Sequence, residues 1–140
     1  MEALPNDASL AFALFDVYRC RKMDQEAAQF YEKGLLLTGE KDSAEAVRHA
    51  FQKDGYKGMA TWQIEHLKKK SASHYVSPMD CAFWYAQLGQ REKTLSLLED
   101  GFHERSPKLI YIQSDPAYDF LHADPRYRSL IQRIGLPPAY

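Results

Sequence analysis

Five histidines, two cysteines and one run of lysines are candidates for acting on a ligand, so their spacing comes first. His49, His66, His74, His103 and His122 include no pair four residues apart and no flanking cysteine pair, so the ligand set of a zinc site is not written into any helix face. Glu65-His66 and His103-Glu104 put an acid beside an imidazole. Adjacent residues on a helix do not face each other, and a solvated face is the better reading of both. Cys20 lies between Arg19 and Arg21, and nearby cations lower a thiol pKa, which would make it nucleophilic; it also fits as a small residue on a helix. Gly39-Glu40-Lys41-Asp42-Ser43 carries Lys and Ser after Gly but lacks the glycine-rich loop and preceding strand of a phosphate cradle, so it reads as a turn. Lys68-Lys69-Lys70 suits a helix C-terminus, where cations oppose the negative end of the helix dipole. No polar constellation converges, so no catalytic, cofactor or metal residue is assigned and the chain is not expected to be an enzyme.

The elements that position these residues follow from composition. At 140 residues and 45% hydrophobic, the chain suits one compact domain. Its 18 basic and 19 acidic residues leave a net charge of -1, which gives no electrostatic reason for direct nucleic-acid binding. Cys20 and Cys81 fall in separate helices and cannot make a disulfide framework, which fits a reducing compartment. No run reaches the roughly 18 apolar residues of a membrane span, and Met1-Glu2-Ala3-Leu4-Pro5 lacks the basic and apolar regions of a signal peptide. A cytoplasmic protein with no membrane contact is expected. A helix starting this near the first residue also suggests a piece of something longer.

Residues 75–101 form one punctuated unit. Ser77-Pro78-Met79-Asp80 is a helix start, and Cys81, Ala82, Tyr85 and Leu88 recur at helical spacing. Gly89 stops the helix, and Leu95, Leu97, Leu98 and Phe102 give a second one its apolar face. The unit is a helical hairpin, and it repeats. The first-helix aromatic is Tyr18, Phe51 and Tyr85, at spacings of 33 (51 − 18) and 34 (85 − 51). In the same register lie Leu14, Val47 and Cys81, the turn residues Lys22, Gly55 and Gly89, then Ala27, Ala60 and Thr94, and then Tyr31, Ile64 and Leu98. Hairpins are therefore expected at about 7–37, 42–72 and 77–105. Asp7 should cap the first helix and Asp24 the second, Thr38-Gly39 should end that hairpin, and Asp42-Ser43-Ala44-Glu45 resembles a capping box. Beyond Ser106-Pro107, residues 108–113 read as extended or irregular. Asp115-Pro116 and Asp124-Pro125 each start a helix, the first of a single turn and the second closed by Gly135 and Pro137-Pro138, giving a C-terminal cap over 114–135.

A unit of about 34 residues, with two antiparallel helices, small residues at their crossing and a glycine between them, resembles the tetratricopeptide repeat (TPR). The resemblance implies an all-α fold, an α-α superhelix (TPR-like solenoid) of three helical hairpins plus a C-terminal capping helix. Tyr75-Val76-Ser77-Pro78, Leu88-Gly89, Glu104-Arg105-Ser106-Pro107, Asp115-Pro116, Asp124-Pro125-Arg126-Tyr127 and Gly135-Leu136-Pro137 are similar to the C-terminal TPR segments of bacterial regulators. Those segments follow a winged-helix DNA-binding domain or a serine/threonine kinase domain. Phe15 and Arg48 stand where a TPR has a small first-helix residue, with Ala82 as the family has it, and the last small position reads Gly34, Leu67 and Gly101. A wider or shifted crossing is expected in the first two hairpins.

If the hairpins stack in that way, their first helices line a concave surface able to take a peptide or a partner helix. The register turns inward Phe12, Asp16 and Arg19, then Glu45, His49, Gln52 and Lys53, then Met79, Phe83 and Gln87. The set lacks the Lys and Asn arrangement by which some TPRs clamp a terminal carboxylate. The expected role is a protein-interaction or signal-receiving module, the C-terminal part of a bacterial regulatory protein, with a protein or peptide partner. The alternative is an effector or self-association domain, a homodimer included, that controls an attached DNA-binding or kinase domain.

Overall fold

The computed structural model of the protein describes residues 7–136, so what was expected of Met1 to Pro5 and of Pro137-Pro138 lies outside it. The fold is all-α, with no strand among the described residues and with helices packed in adjacent pairs. In order come α1 (Ala8–Cys20), α2 (Asp24–Leu37), α3 (Lys41–Ser71), α4 (Pro78–Gln87) and α5 (Arg91–His103). Two 3-10 helices, Pro107–Tyr111 and Pro116–Leu121, lead to α6 (Pro125–Ile134). The chain divides into two compact units, one ending at Gln63 and the other starting at Ile64.

Local chemistry accounts for most helix ends. Asp7 accepts from the Ser9 N–H at 2.8 Å, and Ser77 Oγ from the Met79 N–H at 3.2 Å. Asp115 and Asp124 cap in the same way, accepting from Ala117 at 2.9 Å and Arg126 at 2.8 Å, each with proline in the first helical turn. Two expected caps are displaced. Asp24 is already inside α2, whose preceding residue Met23 caps it with backbone alone, and Asp24 instead places negative charge in the first turn. α3 starts at Lys41, with the Ala44 N–H donating to the Glu40 carbonyl, so Asp42 lies too far inside to cap, and Glu45 pairs with Arg48 and His49. Residues 108–113 are also corrected. Ser106 Oγ accepts from the Lys108 N–H and starts a 3-10 helix, which buries Leu109 and Ile112 and leaves Ile110 and Tyr111 outside.

The turns of the first and third hairpins match bond for bond. Met23 N–H donates to the Tyr18 carbonyl and Gln90 N–H to that of Tyr85, while Lys22 donates to Arg19 and Gly89 to Ala86. This is a Schellman closure, which needs a left-handed residue at Lys22 (φ 61) and Gly89 (φ 69). The helix crossings match too. A Cβ built on Gly34 would lie 2.6 Å from the Phe12 ring, and one on Gly101 would lie 2.6 Å from Met79 Sδ. All three pairs are 67 residues apart (89 − 22, 101 − 34, 79 − 12). Phe15, the bulky residue at a position expected to be small, is buried with its ring 4.9 Å from that of Tyr31.

The second turn is built differently. Gly55 interrupts α3 at φ 70, ψ -155, a region open essentially to glycine alone. In unbroken helix residues 50 and 58 would sit about 12 Å apart along the axis. A Cβ on Gly58 would instead lie 2.5 Å from the Ala50 carbonyl oxygen, so the chain doubles back at Gly55 and its two stretches touch backbone to backbone.

In the second unit α4, α5, both 3-10 helices and α6 share one core, in which Leu98, Ile112, Leu121 and Leu130 are almost fully buried. Each such side chain contributes roughly 1.5–3 kcal/mol, against about 0–1 for a surface ion pair. Apolar burial therefore holds α6 down, and charge fixes its register. Arg126 is bidentate to Glu92 at 2.7 Å on both oxygens, Arg133 is bidentate to Glu99, and Arg91 reaches Asp124 at 3.0 Å. Asp124 is nearly buried. The Arg126 side chain first, its backbone N–H next, and Arg91 hold the Asp124 carboxyl down to about 2, and Arg126 and Arg133 likewise lower Glu92 and Glu99.

Gly55→Ala and Gly58→Ala should each lower unfolding stability by about 1–3 kcal/mol in urea titrations, because one forces a glycine-only backbone and the other drives a methyl into a carbonyl. Lys22→Gly, at a turn of the same sign, should cost less than about 1 kcal/mol or stabilise. For the acid network, Asp124 is ionised when folded at pH values where the unfolded chain, with a pKa of about 3.9, is protonated. Its contribution is thus full above about pH 4 and is lost as pH falls towards 2. Asp124→Asn should cost stability at pH 7, and the gap to wild type should close between pH 4 and pH 2; a constant gap would contradict this.

Candidate functional site

The residues the repeat register turns inward do not all remain available. In the first unit Phe12 is half-buried over Gly34, with its ring 5.5 Å from that of Tyr31. Arg19 donates through Nε to Asp16 Oδ1 at 2.8 Å, and its guanidinium carbon lies 5.9 Å from the Phe15 ring centroid. Its side chain is only 9% exposed, so this cation is held within the hairpin. Beside it burial pushes the Tyr56 hydroxyl well above its usual range, which Arg19 opposes and Asp24 and Asp16 reinforce. Glu45 and His49 lie 3.6 Å apart on an exposed face, and Arg48 reaches across to Glu32 at 3.7 Å. Gln52 and Lys53 are exposed.

In the second unit Met79 is a correction to the expected surface. It is 3% exposed and packs on Gly101 and among the core residues of α5 and the first 3-10 helix, because a glycine there leaves a socket that the Met79 side chain fills. Phe83 is half-buried, with its ring edge-on to that of Trp84 at 5.1 Å, and Gln87 is half-buried. The structure thus brings together Asp16 with Arg19 and Glu45 with His49, and it leaves Gln52, Lys53 and part of Phe83 accessible.

What the sequence did not point to is a groove of about 470 Å³ in the first unit, at the inside of the Gly55 turn. Ala50, Lys53 and Asp54 form one wall and Lys57, Thr61 and Trp62 the other, with Gly58 between. Of these only Lys53 belongs to the register set. The signal that was present is the glycine pair Gly55 and Gly58, which spaces two helical stretches too closely for side chains between them. The exposed pair Ile110 and Tyr111 was missed for another reason: reading 108–113 as extended gave no way to tell which of its four apolar residues face out.

The other chemistry-bearing residues stay apart. Among the described residues no three His, Cys, Asp or Glu side chains come close enough to hold a metal ion. Cys20 is exposed, whereas Cys81 is half-buried and burial pushes its thiol up, away from reactivity. Lys68 is tied to the Tyr85 hydroxyl and to Glu65, which raise its ammonium pKa. Among the described residues no helix is long and apolar enough to cross a membrane. Comparison of the chain with family models, with curated proteins and with solved structures gives no match.

Proposed function

We propose that the chain is a TPR-like interaction module in which three hairpins and a C-terminal helical cap present first-helix residues to a protein or peptide partner, as a non-enzymatic part of a bacterial regulatory protein. The observation that supports this reading most is the equivalence of the first and third hairpins. The same turn bonds and the same glycine socket recur 67 residues apart, which is two repeats of 33 and 34. Repetition of this kind serves to extend a surface rather than to build one catalytic pocket. Tyr118, buried and 33 residues beyond Tyr85, continues the aromatic series Tyr18, Phe51 and Tyr85 into the cap. The likeness to segments that follow winged-helix or kinase domains supports the regulatory assignment. A second reading, self-association that controls an attached domain, is favoured by Leu10 and Val17, two exposed apolar residues two turns apart on α1.

The two readings separate in one experiment. Immobilised chain should capture a partner that is then identified and rebound from purified components. Phe83→Ala and Lys53→Glu should each weaken that complex while leaving the circular dichroism spectrum unchanged. Binding indifferent to both substitutions would contradict the first-helix face. A concentration-dependent dimer abolished by Leu10→Asp, with no other partner, would move the assignment to the second reading.

A further inference from the structure

We propose that the groove inside the Gly55 turn binds an acidic peptide segment in which carboxylate side chains alternate with apolar ones; this rests on the interaction reading and gives its partner a chemistry. Three features of the groove carry the inference. Lys53 and Lys57 face it from the two helical stretches, and among the described residues neither ammonium is within ion-pair distance of a carboxylate, Asp54 between them in sequence included. Two cations against one carboxylate leave a local excess of positive charge on a chain whose net charge is -1. That excess is local and falls off within a Debye length of about 8–10 Å, so it selects a segment that lies in the groove.

The floor is the second feature. Gly58 and Ala50 place almost no side chain between the walls, and any Cβ at 58 would strike the Ala50 carbonyl, so backbone forms the floor where the two stretches touch. Its volume is about 470 Å³, and Lys53, Asp54, Lys57 and Thr61 on its walls are exposed, so it is an open channel that suits an extended segment rather than an enclosed small molecule. The third feature is the mixed lining. Trp62 and Ala50 offer apolar surface beside the lysines, and the Thr61 hydroxyl, which donates to the Lys57 carbonyl at 2.9 Å, keeps lone pairs for a peptide N–H. Nucleic acid fits less well. Phosphate backbones need a continuous basic surface, whereas Asp54 lines this groove and the lysines number two.

The probe is a fluorescein-labelled peptide alternating glutamate and phenylalanine, titrated by anisotropy with the full chain, beside versions carrying glutamine or lysine for glutamate and beside labelled oligothymidylate. The glutamate peptide should bind saturably and tighter than the others. The double variant Lys53→Glu/Lys57→Glu should weaken it about tenfold or more, while Lys93→Glu on α5 should leave it unchanged. Equal binding of the glutamine peptide, tighter binding of the lysine peptide or oligothymidylate, or an equal loss in Lys93→Glu would overturn the proposal. If the captured partner still depends on Phe83 while the glutamate peptide fails, the acidic groove is wrong and the interaction reading stands. If the peptide binds as described and no partner depends on Phe83, the groove stands and the first-helix face does not.

Discussion

Each hairpin closes at a glycine, where an added side chain would have to displace its neighbour. Cβ atoms at Gly34, Gly58 and Gly101 would come within 2.5–2.6 Å of Phe12, Ala50 and Met79 respectively, and this close approach sets how the paired helices lie. In the first and third hairpins the socket takes an apolar side chain from the opposite helix. In the second it takes the backbone itself, nearer the turn, and its register equivalent Leu67 carries a full side chain. The groove at Gly55 exists because of that shift.

Electrostatics has a narrower role. The paired residues Glu92 with Arg126 and Glu99 with Arg133 are each 34 apart, so α6 meets α5 in a register that reads out as arithmetic on the sequence. Surface ion pairs are individually weak, but two bidentate pairs on one helix face admit one alignment and penalise a slipped one. The buried leucines and isoleucines supply the energy, and the arginines choose among the arrangements that would bury them.

Much of the fold was legible in the sequence because its signals are local. Ser77-Pro78, Asp115-Pro116 and Asp124-Pro125 start helices through bonds to residues two positions on, which are made without any distant contact. The displaced caps show the limit. Asp24 and Asp42 are good capping residues, yet Met23 and Glu40 have already closed a Schellman turn by backbone bonds, and the helix starts from there. Lys22 was read correctly as a turn position only through the repeat, since lysine has no preference for positive φ. The candidate surface was less legible. A register tells which way a Cα–Cβ vector points, but Met79 and Arg19 were claimed by partners within their own hairpins, a glycine socket and a carboxylate, that the repeat pattern does not mark. Gly58 has no counterpart in the other repeats, so the groove it opens lay outside any repeat-based reading.

The most direct measurement is a pair of double-mutant cycles, one pairing Gly34→Ala with Phe12→Ala and the other Gly101→Ala with Met79→Ala, read as unfolding free energies. If the two hairpins are built on the same socket, each glycine substitution costs less in the background whose opposing side chain has been cut back. The coupling then has the same sign in both cycles, at about 0.5–3 kcal/mol. Additive costs in either cycle would mean that the helices do not meet there, and the structural equivalence of the two hairpins would fail.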